Sequence, residues 1–577
     1  MAEDTRPLSI VNTDNRLIAN ACRLRWEPIL NEWISEFQRG FLRGRSMLSN
    51  VVEIDFEAMK ISLTEEHGAL ILFDFKAAFP SISQEYMLTV LKHLGVPSFV
   101  LHVIEAMYDQ GKCVISCCGH CFPGFAMESG IKQGCPLSPL LFVTVVDMLL
   151  RRITDEIPEA TPRAFADDIA LTLLNFGDRV NSLQSLFNGF SQISGLYLNL
   201  PKTVIIPLWP IDLQQLKSSV SCTCPEWSEV SFADCGKYLG FFTGPGKGDK
   251  SWDKPIDKYV KAAQQWCEQA LGLQYTTVAY NTFAMSILSF VCQLERPPTH
   301  LLNTEREVLR KVAVGPGEWA IPEDLWFLRE NFSQARSFRC VEILSLASQV
   351  RVAKQENASR GGLQVLTRAR ELQHLLSGTD YMDRRYVWQS WYANSHVRIL
   401  ASAIHTFEAS VTSISALEGA PQPGNNNFRL QSAASKAIVE SRKPQAEDRV
   451  RHKLARWNLE GYPGRNARRV LRRLQELQSL VPPRVSSACF STVWNRWTTA
   501  RRFQQRQSTT NRCVLGCSCS AEDSIEHYIH CRIIHEFARS RLRLERLDPY
   551  ALLMASDDMQ WNDAGRLTRL AILVYCA

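Results

Sequence analysis

The sequence has no apolar run long enough to organise the chain around a bilayer. Its longest, Leu137 to Leu150, is short and is interrupted by Asp147, so a membrane-spanning helix is excluded there. The N-terminus, MAEDTRPLSI, lacks the basic, apolar and small-residue order of a secretory signal. An intracellular protein is therefore expected, and its eighteen cysteines read as reduced thiols or metal ligands rather than a disulfide framework. Internal repeats and extended low-complexity tracts are missing too, which excludes solenoids and compositionally biased arrays. Charge of one sign is scarce, at +6 over 577 residues. What is present, 45% hydrophobic and 21% charged residues, suffices for several cores, and three or four domains are expected.

The small net charge is unevenly distributed. Arg442 to Arg506 holds 16 Lys or Arg against 4 Asp or Glu, leaving the remainder of the chain net negative. Within it, RNARRVLRRLQELQSL sets Val470, Leu471, Leu474 and Leu477 at helical spacing among Arg468, Arg469, Arg472 and Arg473. Two readings stand, a solvated amphipathic face or a phosphate-binding one, and the nearby Trp457, Tyr462, Trp494 and Trp497 suit stacking on single strands or a helical core.

The stretch RAFADDIALTLL puts Asp167 and Asp168 side by side between β-prone apolar residues. Adjacent carboxylates there need basic partners, a solvent-facing turn or a divalent metal, since an unpaired buried carboxylate loses several kcal/mol of solvation. A second apolar run, GALILFDFKAAF, reads as a buried strand that delivers Asp74 at its C-terminal end. Adjacent strands would bring the three carboxylates together, and hard cations, Mg²⁺ above all, choose carboxylate oxygens; a two-metal arrangement serves in-line phosphoryl transfer. KCVISCCGHCFPGFAMESG has the alternation and glycine break of a β-hairpin, and a helix should start near Ser138 and Pro139. SWDKPIDKYVKAAQQWCEQALG carries Ile256, Tyr259, Ala263, Trp266, Cys267 and Ala270 on a helical stripe, more helices should follow, and EGAPQPGNNN reads as a linker.

In order and spacing, RPLSIVNTDNRLIA, EFQRGFLRGRS, FDFKAAF, GIKQGCPLSPLLF, FADD, SGLYLNLPKT and KYLG resemble the motifs of reverse transcriptases from non-LTR, LINE-type retrotransposons, covering residues 6 to about 245. The resemblance implies an α+β right-hand polymerase: fingers over 1–67, palm with interleaved fingers elements over 68–245 and a helical thumb over 246–345. A helical, basic nucleic-acid-binding region over 346–510 and a zinc module with C-terminal tail over 511–577 would follow. It makes Asp74, Asp167 and Asp168 the palm carboxylates for two magnesium ions, with Asp168 the less direct ligand. RNA template, DNA primer, dNTPs and a nuclear site of action follow from the same resemblance.

Phe79 stands where the family places an aromatic against the nucleotide sugar, excluding a 2′-hydroxyl; plain packing is its other reading. Gln133 and Gly134 match the motif beneath the incoming nucleotide, Lys202 the lysine that protonates pyrophosphate, and Tyr238, Leu239 and Gly240 the primer grip. Arg43 and Arg45 are candidates for a triphosphate clamp, since guanidinium groups bind phosphate in a fork. Core packing is an equal reading of Tyr238.

Two cysteine clusters receive opposite expectations. Cys113, Cys117, Cys118, His120 and Cys121 fall in the hairpin, where they read as buried thiols packed as small hydrophobes. Cys513, Cys517, His527 and Cys531 have the spacing of a closed tetrahedral zinc site, resembling the CCHC element downstream of LINE-type polymerases, with Cys519 as alternate ligand and His530 as substitute for His527. Neither end of the chain leaves room for the endonuclease of such elements, so that domain is expected to be absent. Two other readings stay open: a catalytically silent, polymerase-shaped nucleic-acid-binding protein, and a group II intron-type reverse transcriptase and maturase.

Overall fold

The computed structural model describes residues 11–109, 111–269, 271–358, 364–378, 388–412, 427–457, 466–500, 512–517 and 521–576. Arg6 to Ile10 of the first motif, Tyr462, Cys519 and nearly all of the expected linker at 418–427 lie outside them. The chain divides into two compact units, residues 1–251 with 352–402, and residues 252–351 with 403–577.

Nine strands occur among the described residues: β1 Ala69–Phe73, β2 Lys112–Cys117, β3 His120–Ala126, β4 Ala160–Phe165, β5 Asp168–Leu173, β6 Val204–Pro207, β7 Ser231–Phe232, β8 Gly236–Tyr238 and β9 Phe241–Thr243. The first unit is built on a five-stranded sheet ordered β4-β5-β1-β6-β7, with every pairing antiparallel except β6 with β7. β1, ALILF, is apolar at every position because both of its faces are covered. Alternation sends Ala69, Ile71 and Phe73, with Ile169, Leu171, Leu173 and Ile205, into one core. The helices Ser138–Glu156 and Phe176–Ser194 close that core through Phe142, Val145, Leu149, Phe187 and Phe190, and the Phe73 and Phe187 rings lie 4.4 Å apart. Burying each such side chain is worth about 1.5–3 kcal/mol. The first of these helices starts at Ser138 with proline in its first turn. The second ends at Gly195, φ +75°, where a Cβ would meet the Ser81 carbonyl oxygen at 2.3 Å.

The opposite sheet face carries Leu70, Leu72, Ala170, Thr172 and Ile206, all buried. Gly236 of β8 lies against Leu72 and Ile206. The helix Met47–Thr64 contributes two buried carboxylates to this unit. Burial alone would push Glu53 up, but Arg163 and Arg39, the latter 2.9 Å away, outweigh it and hold its carboxyl below the usual range. Asp55 is held down in the same way, against its burial, by Lys247 and His396, and it accepts from the His396 N–H, Trp391 Nε1 and Thr243 Oγ1. Since His396 and Trp391 come from the 352–402 segment, that segment is wired into the sheet-bearing unit by a charge that needs them.

The hairpin is where KCVISCCGHCFPGFA put it, with Ile115 opposite Phe122 and Cys117 opposite His120. Its cysteines are not packed, however. Cys117, Cys118 and Cys121 are exposed and Cys113 is only partly covered, because among the described residues no second layer lies on either face of this two-stranded ribbon.

The second unit is helical. Lys250–Glu268 leads into it with Trp252, Tyr259 and Ala263 buried, while Ile256, Trp266 and Cys267 of the expected stripe are half-buried. Asp324 accepts both Nε and Nη2 of Arg449 at 2.7 Å and the Trp494 indole at 3.2 Å. Glu305 is buried among Tyr259, Tyr280, Cys292 and Cys340 and accepts the Val341 N–H at 2.9 Å. Burial raises its pKa to about 8.

Candidate active site

β1 ends at Phe73, which pairs with Ile169 of β5. At the next register position Asp74 falls opposite Asp168, and alternation puts both on the Leu72 and Ala170 face. Asp74 and Asp167 are half-buried and Asp168 is exposed. Asp167 occupies the two-residue turn that closes β4 on β5, since Phe165 pairs with Asp168 across Ala166-Asp167. All three carboxylates thus stand at one end of the sheet. They are not among the side chains whose ligand atoms lie within 4.8 Å of one another. The donor set, carboxylates open to solvent on at least one side, suits hard divalent cations.

The turn is conformationally unusual. Ala166 has φ +59°, a left-handed conformation that costs a non-glycine residue about 1–2 kcal/mol. Its surroundings hold it there. Gln38, fully buried, accepts from Ala166 N at 2.9 Å and Gly40 N at 2.8 Å, and donates to Ala166 O at 3.3 Å. Asn50 Nδ2 donates to Ala164 O at 2.8 Å, and Tyr238 Oη donates to Arg163 O at 3.1 Å. Asp74 is anchored by its backbone: Asn199 N donates to its carbonyl at 2.7 Å, and its own N–H donates to Thr203 Oγ1 at 3.4 Å. Sequence reasoning missed Gln38, Asn50 and Thr203 as site residues; the positions of Gln38 in EFQRGF and of Thr203 in NLPKT were the available signals.

Of the residues expected at the nucleotide, Phe79 and the GIKQG loop lie beside one another. Phe79 is half-buried, stacked on Phe142 at 4.3 Å and edge-on to Phe41 at 6.3 Å. The GIKQG loop is tied beside it, Ile131 N donating to Phe79 O at 2.7 Å. Gln133 is half-buried, and Gly134, at φ +94°, is exposed. Lys202 is exposed and adjoins Thr203. Arg43 is exposed.

Arg45 corrects its expectation. Its guanidinium donates to the carbonyls of Asn31 at 2.7 Å, Ile34 at 2.8 Å and Gln38 at 2.6 Å, and also to Ser35 O. These carbonyls lie at and just beyond the end of the helix Thr13–Trp33, whose last carbonyls lack intrahelical partners. Arg45 is a cap, and burial lowers its pKa. Tyr238 is a core residue: it is buried, burial pushes its phenol far up, and its hydroxyl donates to Arg163 O and lies 3.4 Å from Asn50 Nδ2. Leu239 and Gly240, at φ +47° and +93°, form the half-buried turn between β8 and β9.

In the second unit the arginines of the basic helix Ala467–Leu480 are partnered within the protein, although the side chains of Arg468 and Arg472 remain 86% and 53% exposed. Arg473 is 1% exposed and donates to Met554 O at 3.0 Å. Arg468 pairs with Glu447 at 2.7 Å, Arg469 pairs with Asp557, and Arg472 donates to Asn562 at 2.9 Å. Trp457 and Trp494 are buried, their indoles donating to Val493 O and Asp324, so they are core rather than stacking platforms. Trp497 is 40% exposed.

Cys513, Cys517, His527 and Cys531 converge, with all four ligand atoms within 4.8 Å. Cys513 Sγ and Cys531 Sγ are 3.9 Å apart, and Cys517 Sγ is 3.3 Å from His527 Nε2. Tetrahedral zinc has edges of roughly 3.5–3.8 Å for such ligands. The quartet therefore fits one metal ion, without His530, which is exposed.

Three aspartates at one end of a largely antiparallel sheet, with an aromatic and a glycine-bearing loop beside them, define a nucleotide polymerase fold. The chain matches, over residues 2–242, the family model described as reverse transcriptase (RNA-dependent DNA polymerase), a likeness confined to under half of its length. It is 28% identical over 265 residues to the Pol polyprotein from the type-2 retrotransposable element R2DM of Drosophila melanogaster, covering 42% of this chain and 24% of that protein. Against the transposon TX1 uncharacterized 149 kDa protein of Xenopus laevis it is 24% identical over 270 residues, 45% of this chain and 18% of the relative. A third relative, the Pol polyprotein from a type-1 R2 element of Popillia japonica, is 28% identical over 200 residues, 33% of this chain and 31% of its own length. The chain thus spans under a third of these relatives. Among solved structures, apo telomerase from Candida tropicalis aligns with a TM-score of 0.31 at 10% identity, covering 72% of this chain and 61% of that one.

Proposed function

We propose that the chain is an RNA-directed DNA polymerase of a non-LTR retroelement, extending a DNA primer with dNTPs on an RNA template. The observation that carries this reading is the register that continues from Phe73 and Ile169 to Asp74 and Asp168, beside the turn bearing Asp167. Asp74 and Asp167 would hold two magnesium ions most directly, with Asp168 as the outer partner. Bound there, divalent ions lower the pKa of the primer 3′-hydroxyl and neutralise charge on the leaving pyrophosphate.

The remaining roles belong to the chain's own groups. Phe79, held flat against Phe142, would exclude a 2′-hydroxyl and so select dNTPs. Gln133 would hydrogen-bond the incoming nucleotide, and Gly134 would let backbone approach it. With Arg45 occupied as a cap, exposed Arg43 is the remaining arginine candidate for the triphosphate. Lys202, adjoining the segment that anchors Asp74, would donate a proton to pyrophosphate. The Leu239-Gly240 turn, without the Tyr238 ring, would meet the primer end. Fingers, palm and thumb would correspond to 1–67, 68–245 and 246–345, followed by the basic region at 346–510. Zinc in the Cys513, Cys517, His527 and Cys531 quartet would staple the 511–577 module. A nuclear site of action follows from a DNA primer. Among the described residues no helix is long and apolar enough to cross a membrane.

The test is primer extension on an RNA template with Mg²⁺ and dNTPs. Template-dependent extension that is lost without Mg²⁺ supports the reading. No extension across salt and primer conditions moves the assignment to a nucleic-acid-binding protein of polymerase shape.

A further inference from the structure

We propose that Gln38 is a positioning residue that sets the direction of the Asp167 carboxylate by clamping the Ala166 peptide units; the proposal rests on the polymerase reading above. Ala166 precedes Asp167 directly, so the torsions that hold Ala166 at φ +59° also aim the next residue. A non-glycine residue kept in that region needs surroundings that over-determine it. One side chain supplies most of them. Gln38 Oε1 accepts from both Ala166 N and Gly40 N, and its Nε2 donates to Ala166 O. The amide therefore satisfies the N–H and the C=O of a single turn residue at once, in a fully buried position where a lost partner is costly.

Gln38 is itself fixed. Ala164 N donates to Phe37 O and Arg39 N donates to Ala164 O, each at 2.8 Å. Residues 37–39 thus run along β4, the edge strand of the sheet. Gly40 explains the closeness: a Cβ there would stand 2.3 Å from Ala166 N, so any other residue would push the segment off the turn. Arg45, donating to Gln38 O at 2.6 Å, holds the same segment from its other side. A clamp built on the sheet edge fixes the turn without occupying the solvent-facing side where Asp167 and Asp168 act.

The test uses the full chain as wild type, Gln38→Met, Gln38→Met with Ala166→Gly, and Asp167→Asn. Mn²⁺ binding followed by electron paramagnetic resonance is read beside kcat, dNTP KM, template-primer affinity and melting temperature. Gln38→Met is expected to lose roughly 10- to 100-fold in kcat, the scale of a catalytic group displaced by about 1 Å. Its Mn²⁺ binding should weaken several-fold, while dNTP KM and template-primer affinity stay within about twofold of wild type. Glycine takes a positive φ at little steric cost, so adding Ala166→Gly should recover part of both losses. A change confined to melting temperature, with Mn²⁺ affinity and kcat at wild-type values, overturns the proposal. Should Gln38→Met not fold, Gln38→Asn takes its place; it keeps an amide one methylene too short to span Ala166 and Gly40, and the same losses or their absence decide. If wild type extends no primer, the polymerase reading fails, while the Mn²⁺ titration still judges Gln38.

Discussion

The end of the five-stranded sheet and the helix Ala467–Leu480 make opposite use of charge. The helix belongs to the most basic stretch of the sequence, yet each of the four arginines singled out there has a partner within the protein, at the surface for Arg468 and Arg472 and buried for Arg473: Glu447, Asp557, Asn562 or the Met554 carbonyl. At the sheet end Asp167 and Asp168 keep solvent access, while buried neutral groups such as Gln38 and Asn50, beside the Arg39–Glu53–Arg163 ion cluster, carry the structural load. The difference teaches that density of charge along a sequence does not identify a ligand site. What matters is whether a charge is needed to satisfy its own fold. Arg45 and Arg43 repeat the lesson two residues apart, one capping a helix end and the other exposed.

That contrast can be broken, starting with the largest effect. Replacing Cys531 with Ser should release about one equivalent of zinc and lower the stability of the second unit by several kcal/mol, since metal binding is folding free energy in such modules; metal analysis by mass spectrometry with calorimetry reads both. Zinc-free wild type with unchanged melting would remove the metal from the account.

The buried carboxyl of Glu305 supplies the next effect, and its sign follows from proton counting. Folded protein keeps this proton up to about pH 8, whereas the unfolded chain releases it near the ordinary 4.5. Between these values the native state binds more protons, so stability falls as pH rises through the window and levels off above it. Glu305→Gln should abolish that decline and stabilise the unit at pH 8 by a few kcal/mol, measured by denaturant unfolding at pH 5 and pH 8. An unchanged pH slope would show that Glu305 does not titrate there.

Arg45→Ala should cost about 2–4 kcal/mol by leaving helix-end carbonyls unpaired, with dNTP KM within about twofold of wild type. A raised KM at unchanged stability would return Arg45 to the triphosphate. Phe79→Ala should reduce discrimination against rNTPs by roughly tenfold, about 1.4 kcal/mol; unchanged sugar selectivity would leave the ring as packing for Phe142. The smallest effect is expected on the basic helix. Changing Arg468, Arg469 and Arg472 to Gln should leave the salt dependence of log K for RNA nearly unaltered, whereas each lost phosphate contact would reduce the slope by about 0.7–0.9.

Much of this was legible from local pattern. The apolar run before Asp74, the hairpin at 112–126, the helix start at Ser138 and the convergence of Cys513, Cys517, His527 and Cys531 each rest on residues close in sequence. What escaped depends on partners far apart. Gln38 meets Ala166 and Asn50 meets Ala164 across more than 100 positions. Arg469 and Arg472 find theirs 88 and 90 residues away, and Asp55 meets His396 across 341. Periodicity shows which face of an element is apolar, but not which distant carbonyl or carboxylate will claim an arginine. The exposed cysteines at 117, 118 and 121 escaped for a related reason: alternation defines two faces of a ribbon without saying whether either is covered.

The most direct test measures single-nucleotide incorporation on an RNA template side by side for wild type, Asp167→Asn, and the variant with Arg468, Arg469 and Arg472 changed to Gln. The account predicts at least roughly a thousandfold loss for Asp167→Asn with template binding retained, and a rate within about twofold of wild type for the arginine variant. Near-normal incorporation by Asp167→Asn, or a collapse of both binding and rate in the arginine variant, would contradict it.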